Sequence, residues 1–247
     1  MHIGWLHMTN VLEQDNINKS IEAYTTTGYT KHYERYDFLY EKMKPHLGKE
    51  SLKVLDIGCG DSSFIYYMKK RHPNFKYYGL EISQELIDKA KNEPFLKDIT
   101  LIKGDARDFK IDEKFDIVIM AGVLSIFDKF KPVLQNMINH MKSSGIGFIW
   151  GGFTRSDIDV IVRFRNNFLG SKIWESGLNM ISLHTIKRAL KPYTTDFEAS
   201  EFNLKQKMEK QDNPIRTFTI ETKEGKNLVV NGANIIRDFH VIKFVKK

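Results

Sequence analysis

The sequence has little that would staple, anchor or metallate it. It holds one cysteine, Cys59, in 247 residues. A lone cysteine cannot form an internal disulfide, and a reducing cytoplasm is the expected compartment. No Cys-x-x-Cys or His-x-x-x-His pair occurs, so no metal site is expected. No apolar run approaches the roughly 20 residues that cross a bilayer, and no membrane association is expected. The opening "MHIGWLHMTNVLEQDN" lacks a basic stretch followed by a long apolar core, which predicts no signal peptide. The net charge is +7, yet no block of five or six basic residues appears. The lysines are spread over the whole chain, as on a solvated surface, rather than gathered into a nucleic-acid footprint. Internal repeats and low-complexity linkers are also missing.

What is present is a rhythm. From residue 52 onward, short apolar runs alternate with helical patterns. "LKVLDIG", "FKYYGLEI", "ITLIKGDA", "FDIVIMAGVL" and "GIGFIWGGF" read as strands. Between them, residues 62–71, 83–92 and 131–142 read as helices, the second opened by Ser83 and the third by Pro132. Strands alternating with helices predict an α/β fold with a doubly wound, mostly parallel sheet and right-handed crossovers. Residues 1–50 read as an N-terminal helical cap, unusually aromatic, with Tyr33, Tyr36, Phe38, Leu39 and Met43 as an approximate stripe. Residues 51–247 read as one domain, with an insertion at about 153–190 that shows no clear strand before the helix begun by Ser182. Two further β-like runs follow, the first with a hairpin turn at Glu224-Gly225-Lys226-Asn227.

Ligands of doubly wound sheets bind beyond the carboxyl ends of the strands, so the polar residues there carry the chemistry. After the first strand stands "LDIGCGDSS", a glycine turn that leads into a helix. A dinucleotide turn needs glycine at 63 and the S-adenosylmethionine (SAM) turn needs it at 62; both positions are serine. Glu81 lies about 20 residues beyond the glycines, where an acid can accept both ribose hydroxyls, and it suits either cofactor. Asp56 decides. A carboxylate beside the turn repels a pyrophosphate and suits the cationic amino group of SAM. Asp105, after the third strand, is placed to accept the adenine amino group, with the Ala106 amide as a donor. Small residues around Ala121 leave room for the methionine part.

"VLDIGCGDSS", "LEIS", "KGDARDF" and "FDIVIMAGVL", in this order and spacing, resemble a class I SAM-dependent methyltransferase over roughly residues 50–150. The resemblance implies a seven-stranded Rossmann-like sheet. It implies Asp56, Gly58, Cys59 and Gly60 around the methionine end, Glu81 and Ile82 at the ribose, Asp105 and Ala106 at the adenine, and Ala121 in the cleft. Cys59 reads as a packing residue rather than a nucleophile. The third glycine of the motif is replaced by Ser62.

The acceptor is less legible. Members that methylate amides or exocyclic amines carry Asn/Asp-Pro-Pro-Tyr after the fourth strand, and "AGVLSIF" stands here instead. Ser125 occupies a position where small-molecule members often have histidine, and His184 has the chemistry of a general base. These two are the catalytic candidates. Tyr24, Tyr29, His32 and Tyr33 could roof the acceptor, and Arg155 heads a basic segment that would suit an anionic molecule. The general layout also resembles bacterial small-molecule O-methyltransferases that modify surface polysaccharide (capsule), including its phosphoramidate-type substituents. The expected partner is a small acceptor molecule, not nucleic acid; the oligomeric state is left open. Three rivals are set against this reading. An RNA methyltransferase would show steep salt dependence. A non-catalytic SAM-binding subunit would bind SAM without turnover. An NAD oxidoreductase would bind NADH and not SAM.

Overall fold

The computed structural model describes Tyr29 and residues 33–247. Tyr24 and His32 lie outside the described residues.

The expected alternation is realised. Strands β1 (Lys53–Ile57), β2 (Lys76–Glu81), β3 (Thr100–Lys103), β4 (Phe115–Ala121) and β5 (Met141–Thr154) are all parallel neighbours in the order β3-β2-β1-β4-β5. Among the described helices, α1 (Glu34–Met43) precedes the sheet, and α2 (Ser63–Lys69), α3 (Gln84–Lys91) and α4 (Lys131–Asn139) make crossovers. Ser83 caps α3 as its position predicts, its Oγ accepting from the Leu86 amide at 3.3 Å. β1 and β4 are almost continuously buried, because a parallel sheet is covered on both faces. One face packs Val54, Ile117 and Ile119 against α1 and α2; the other packs Leu55, Ile57 and Met120 with α4.

After β5 the structure corrects the sequence reading of residues 153–181. The segment holds three two-residue strands, β6 (Arg163–Phe164), β7 (Glu175–Ser176) and β8 (Ile181–Ser182). β6 pairs antiparallel with β7, and β8 pairs parallel with the last two residues of β5. Strands this short leave no alternation to read. Helix α5 (Leu183–Leu190) follows, capped by Ser182 as expected. Then come β9 (Thr194–Phe202), the hairpin β10 (Phe218–Glu221) and β11 (Asn227–Val230), and β12 (Phe239–Lys246). Gly225, at φ +79°, makes the hairpin turn. β12 inserts antiparallel between β5 and β9, giving seven strands in the order β3-β2-β1-β4-β5-β12-β9, with β8 off that path.

Gly147 of β5 faces Phe244 of β12 in register. A Cβ on Gly147 would lie 2.2–2.7 Å from three atoms of the Phe244 ring, so the absent side chain is what admits the ring to the core. Helix α1 buries Leu39 and Met43. Its Glu34 carboxylate accepts from the Lys205 and Gln206 amides at 2.8 and 2.6 Å, and its Asp37 accepts from the Tyr67 hydroxyl at 2.6 Å. The helix is thereby fastened to α2 and to the segment after β9.

Candidate cofactor and acceptor site

The turn after β1 uses three left-handed residues in alternation: Gly58 (φ +72°), Gly60 (+58°) and Ser62 (+64°). A Cβ on Gly58 would stand 2.2 Å from Val123 Cγ2, so glycine is required for approach as well as for φ. The Gly58 and Cys59 amides both donate to the Leu80 carbonyl, at 2.7 and 3.0 Å. Ser62 is fully buried, and its Oγ lies 3.5 Å from Cys59 Sγ. The third glycine of the motif would meet its φ without strain; here a serine carries it. Cys59 packs against Gly79, and burial, followed by the charge of Asp56, pushes its thiol well up. That is a packing residue, as expected, and not a thiolate.

Asp61 went unread in the sequence. It is fully buried, its Oδ1 accepts from the Ser63 amide at 3.1 Å, and Lys89 Nζ lies 3.4 Å from its Oδ2. An Asp two residues before a helix start is a capping signal, and "GDSS" carried it.

Asp56 is 3% exposed, and its Oδ1 has no hydrogen-bond partner among the described residues. Burial, then the nearby Glu81 charge, pushes its carboxyl up to about 8. An orphaned buried carboxylate oxygen is costly unless a donor reaches it. A cationic amino group of SAM is such a donor, and a pyrophosphate is not. Glu81, at the end of β2, accepts from the Gly60 amide through Oε2 at 2.9 Å. Its Oε1 accepts from the Ile82 and Ser83 amides at 2.9 and 3.0 Å. Two carboxylate oxygens offer about four acceptor sites, so capacity remains for a hydroxyl. Asp105 is gripped by Arg107, whose backbone N and Nε lie 2.8 and 3.0 Å from Oδ1 and whose Nη2 lies 2.6 Å from Oδ2. Burial alone would push the Asp105 carboxyl up, but Arg107 outweighs it and holds the group below its ordinary range. The Arg107 guanidinium also lies 5.4 Å from the Phe127 ring centroid.

These residues surround one cleft of about 650 Å³ at the carboxyl ends of β1, β2 and β4. Of the cofactor-binding candidates, Gly58, Glu81, Ile82, Asp105, Ala106 and Ala121 line it. Leu80, Leu86, Gly104, Gly122, Val123, Ile126 and Phe127 complete the wall. Asp56, Cys59 and Gly60 are not among its lining residues. The orphaned Asp56 oxygen and the Gly58 approach fit SAM. No group of three or more His, Cys, Asp or Glu side chains able to hold a metal occurs among the described residues.

A smaller pocket of about 220 Å³ adjoins at the ends of β4 and β5, lined among others by Ser125, Trp150, Gly151, Gly152 and Asn179. The inserted segment clamps this end. The Asn179 amide donates to the Ser125 carbonyl at 2.7 Å, Asn179 Nδ2 donates to Asp128 Oδ1 at 2.9 Å, and Arg163 forms an ion pair with Asp128.

The acceptor candidates are brought together only in part. Ser125 lines the smaller pocket, its hydroxyl 3.4 Å from the Gly122 carbonyl. His184 lies exposed in the first turn of α5 and lines neither pocket. Arg155 is spent on an ion-pair cluster, with Nε 2.5 Å from Asp238 Oδ2 and Nη2 2.8 Å from Glu201 Oε1. Tyr29 donates its hydroxyl to the Asp61 carbonyl at 2.7 Å and sets its ring edge-on to Phe95. Burial and then the Asp61 charge raise its phenol, so it stays protonated. Tyr33 heads α1, with the Arg35 guanidinium 4.0 Å above its ring.

Residues 48–174 match the methyltransferase-domain family. The chain belongs to the class I SAM-dependent methyltransferases. It is 22% identical over 139 residues to a malonyl-[acyl-carrier protein] O-methyltransferase of Bacillus cereus, covering 53% of this chain and 52% of the relative. A dTDP-3-amino-3,4,6-trideoxy-alpha-D-glucopyranose N,N-dimethyltransferase of Streptomyces venezuelae is 27% identical over 101 residues, 39% of this chain and 41% of the relative. The chain spans about half the length, or less, of these curated relatives. The solved structure of the N-methyltransferase NodS from Bradyrhizobium japonicum with S-adenosyl-L-homocysteine (SAH) shares the fold. Its TM-score is 0.59 at 15% identity, over 94% of this chain and 99% of that one. The cofactor is SAM, and no helix among the described residues is long and apolar enough to cross a membrane.

Proposed function

We propose that this methyltransferase acts on an oxygen of a small anionic acceptor, of sugar- or phosphate-type. One observation carries the reading. Among the described residues, no titratable side chain lines the pocket at the ends of β4 and β5; Ser125 and Asn179 are its polar side chains beside the Trp150 indole. A protonated hydroxyl would need a base within reach, and the best candidate by chemistry, His184, stands outside both pockets. A carboxylate or phosphate oxygen arrives already ionised and needs only to be held in line and dry.

In this reading Asp56 faces the amino group of SAM, Glu81 the ribose, and Asp105 with Ala106 the adenine. SAM so held supplies an electrophilic methyl group. The loop that carries Ser125, clamped by Asn179, orients the acceptor and excludes water. The resemblance of the sequence layout to bacterial O-methyltransferases of surface-polysaccharide modification supports a place in that chemistry.

The test supplies isotopically methyl-labelled SAM and a bacterial metabolite extract, then identifies the labelled product by mass spectrometry. A methyl ester or methyl phosphate-type ester is expected. Label found only on amines would overturn the reading.

A further inference from the structure

Arg237 occupies an unusual place. It directly precedes β12, and its amide donates to the Val229 carbonyl at 2.8 Å. The pairing of β12 with β5 carries it to the carboxyl end of β5, where Phe239 stands opposite Gly152 and the Phe153 amide donates to the Asp238 carbonyl. Its guanidinium lies against Gly152: a Cβ there would be 3.9 Å from Nη1 and 4.0 Å from Cδ. Nη1 donates to the Leu178 carbonyl at 2.8 Å. A guanidinium has five N–H donors; this is the one side-chain bond Arg237 makes among the described residues, and no carboxylate pairs with it. Its sequence neighbour Asp238 does not serve, because Arg155 holds that carboxylate through Nε and Nη2. Burial without a counter-charge pushes the Arg237 guanidinium down to about 10.

A second donor stands on the same face of β5, two residues from Gly152. Trp150 Nε1 is buried and has no hydrogen-bond partner among the described residues. Its ring is fixed by stacking on Phe239, 4.8 Å between centroids and 7° between planes, and by an edge contact to Phe202. Trp150 and Gly152 both line the smaller pocket beside Ser125. A half-buried arginine without a counter-ion among the described residues and an orphaned indole N–H are both costly, and either would be relieved by an anion.

We propose that Arg237, with Trp150 Nε1 as a second donor, forms the anion-binding subsite of the acceptor at the carboxyl end of β5. It takes a carboxylate or a phosphate-type group, through the planar fork that arginine presents. This rests on the reading of the acceptor as an anion. Arg155, the arginine singled out in the sequence, already has its carboxylates, whereas Arg237 has none among the described residues.

The test titrates the SAH complex with inorganic phosphate and, separately, with acetate, by calorimetry. The wild type should bind one or both in the millimolar range. Arg237→Gln should weaken that binding at least about tenfold and Arg237→Lys by less. SAH affinity, which should be the same in all variants, reports that each is folded. Equal anion binding by the wild type and a folded Arg237→Gln overturns the subsite. So does the absence of anion binding to the wild type. Product formation from the extract separates the two ideas. Ester products formed equally by the wild type and Arg237→Gln overturn the subsite and leave the acceptor class standing. Amine products overturn the acceptor class itself.

Discussion

The Gly60 amide donates to Glu81 Oε2 at 2.9 Å, which joins the turn after β1 to the acid that ends β2. Glu81 therefore shapes the cleft as well as facing it. Glu81→Gln keeps the volume but replaces an acceptor by a donor. It is expected to raise the dissociation constant for SAH at least about tenfold. It should also lower stability by about 1–3 kcal/mol, since buried amides lose their acceptor. Calorimetry and urea unfolding check both; unchanged values in both would remove Glu81 from the site.

The Asp56 carboxyl makes the cofactor-free protein pH-sensitive in a stated direction. Its folded pKa, about 8, lies above the ordinary Asp value near 3.9. Between those values the folded state binds a proton that the unfolded state does not. Stability from this group is therefore greatest at low pH and declines as pH rises towards 8. Over the same window SAH should bind more tightly as pH rises, because the ammonium needs the ionised carboxylate. Asp56→Asn should flatten the decline in stability and most of the rise in affinity. Parallel slopes in wild type and variant would refute both.

Ser62 bears the left-handed φ that its glycine-bearing counterparts meet freely. Ser62→Gly and Ser62→Ala both remove the hydroxyl next to Cys59. Only the alanine retains the strained backbone, so the glycine variant should be the more stable by about 1 kcal/mol. Equal unfolding midpoints would show that the turn relaxes around a side chain.

Gly147→Ala should destabilise by about 1–3 kcal/mol, because its Cβ meets the Phe244 ring in a filled core. Phe244→Leu in the same chain should recover part of the loss from Gly147→Ala. A double-mutant cycle measures the coupling, and additive losses would contradict the contact.

The sheet and the cofactor end were legible because each residue there answers a local demand. The Gly58 φ, the Ser83 cap and the apolar runs of β1 and β4 all leave marks within a few positions. Asp56 was readable because charge alone distinguishes an amino group from a pyrophosphate. The acceptor end was not readable in the same way. Arg155 and Arg237 look alike in a sequence; only the fold shows that Asp238 and Glu201 have claimed the first and that the second has no counter-ion among the described residues. His184 had suitable chemistry and the wrong place. Asn179 and Asp128 matter through contacts between segments some fifty residues apart, which no periodicity records.

The antiparallel β12 has a further consequence, for the order in which the protein can be made. β5 ends at Thr154 and its neighbour β12 does not begin until Phe239. A ribosome therefore exposes one long edge of β5 well before the strand that covers it exists, and an uncovered edge invites pairing with another chain. The cofactor half of the sheet can close early in synthesis; the side of β5 where Arg237 sits is completed only when β12 arrives. The strands that line the cofactor cleft are thus all synthesised before the strand that completes the side of β5 proposed to hold the acceptor.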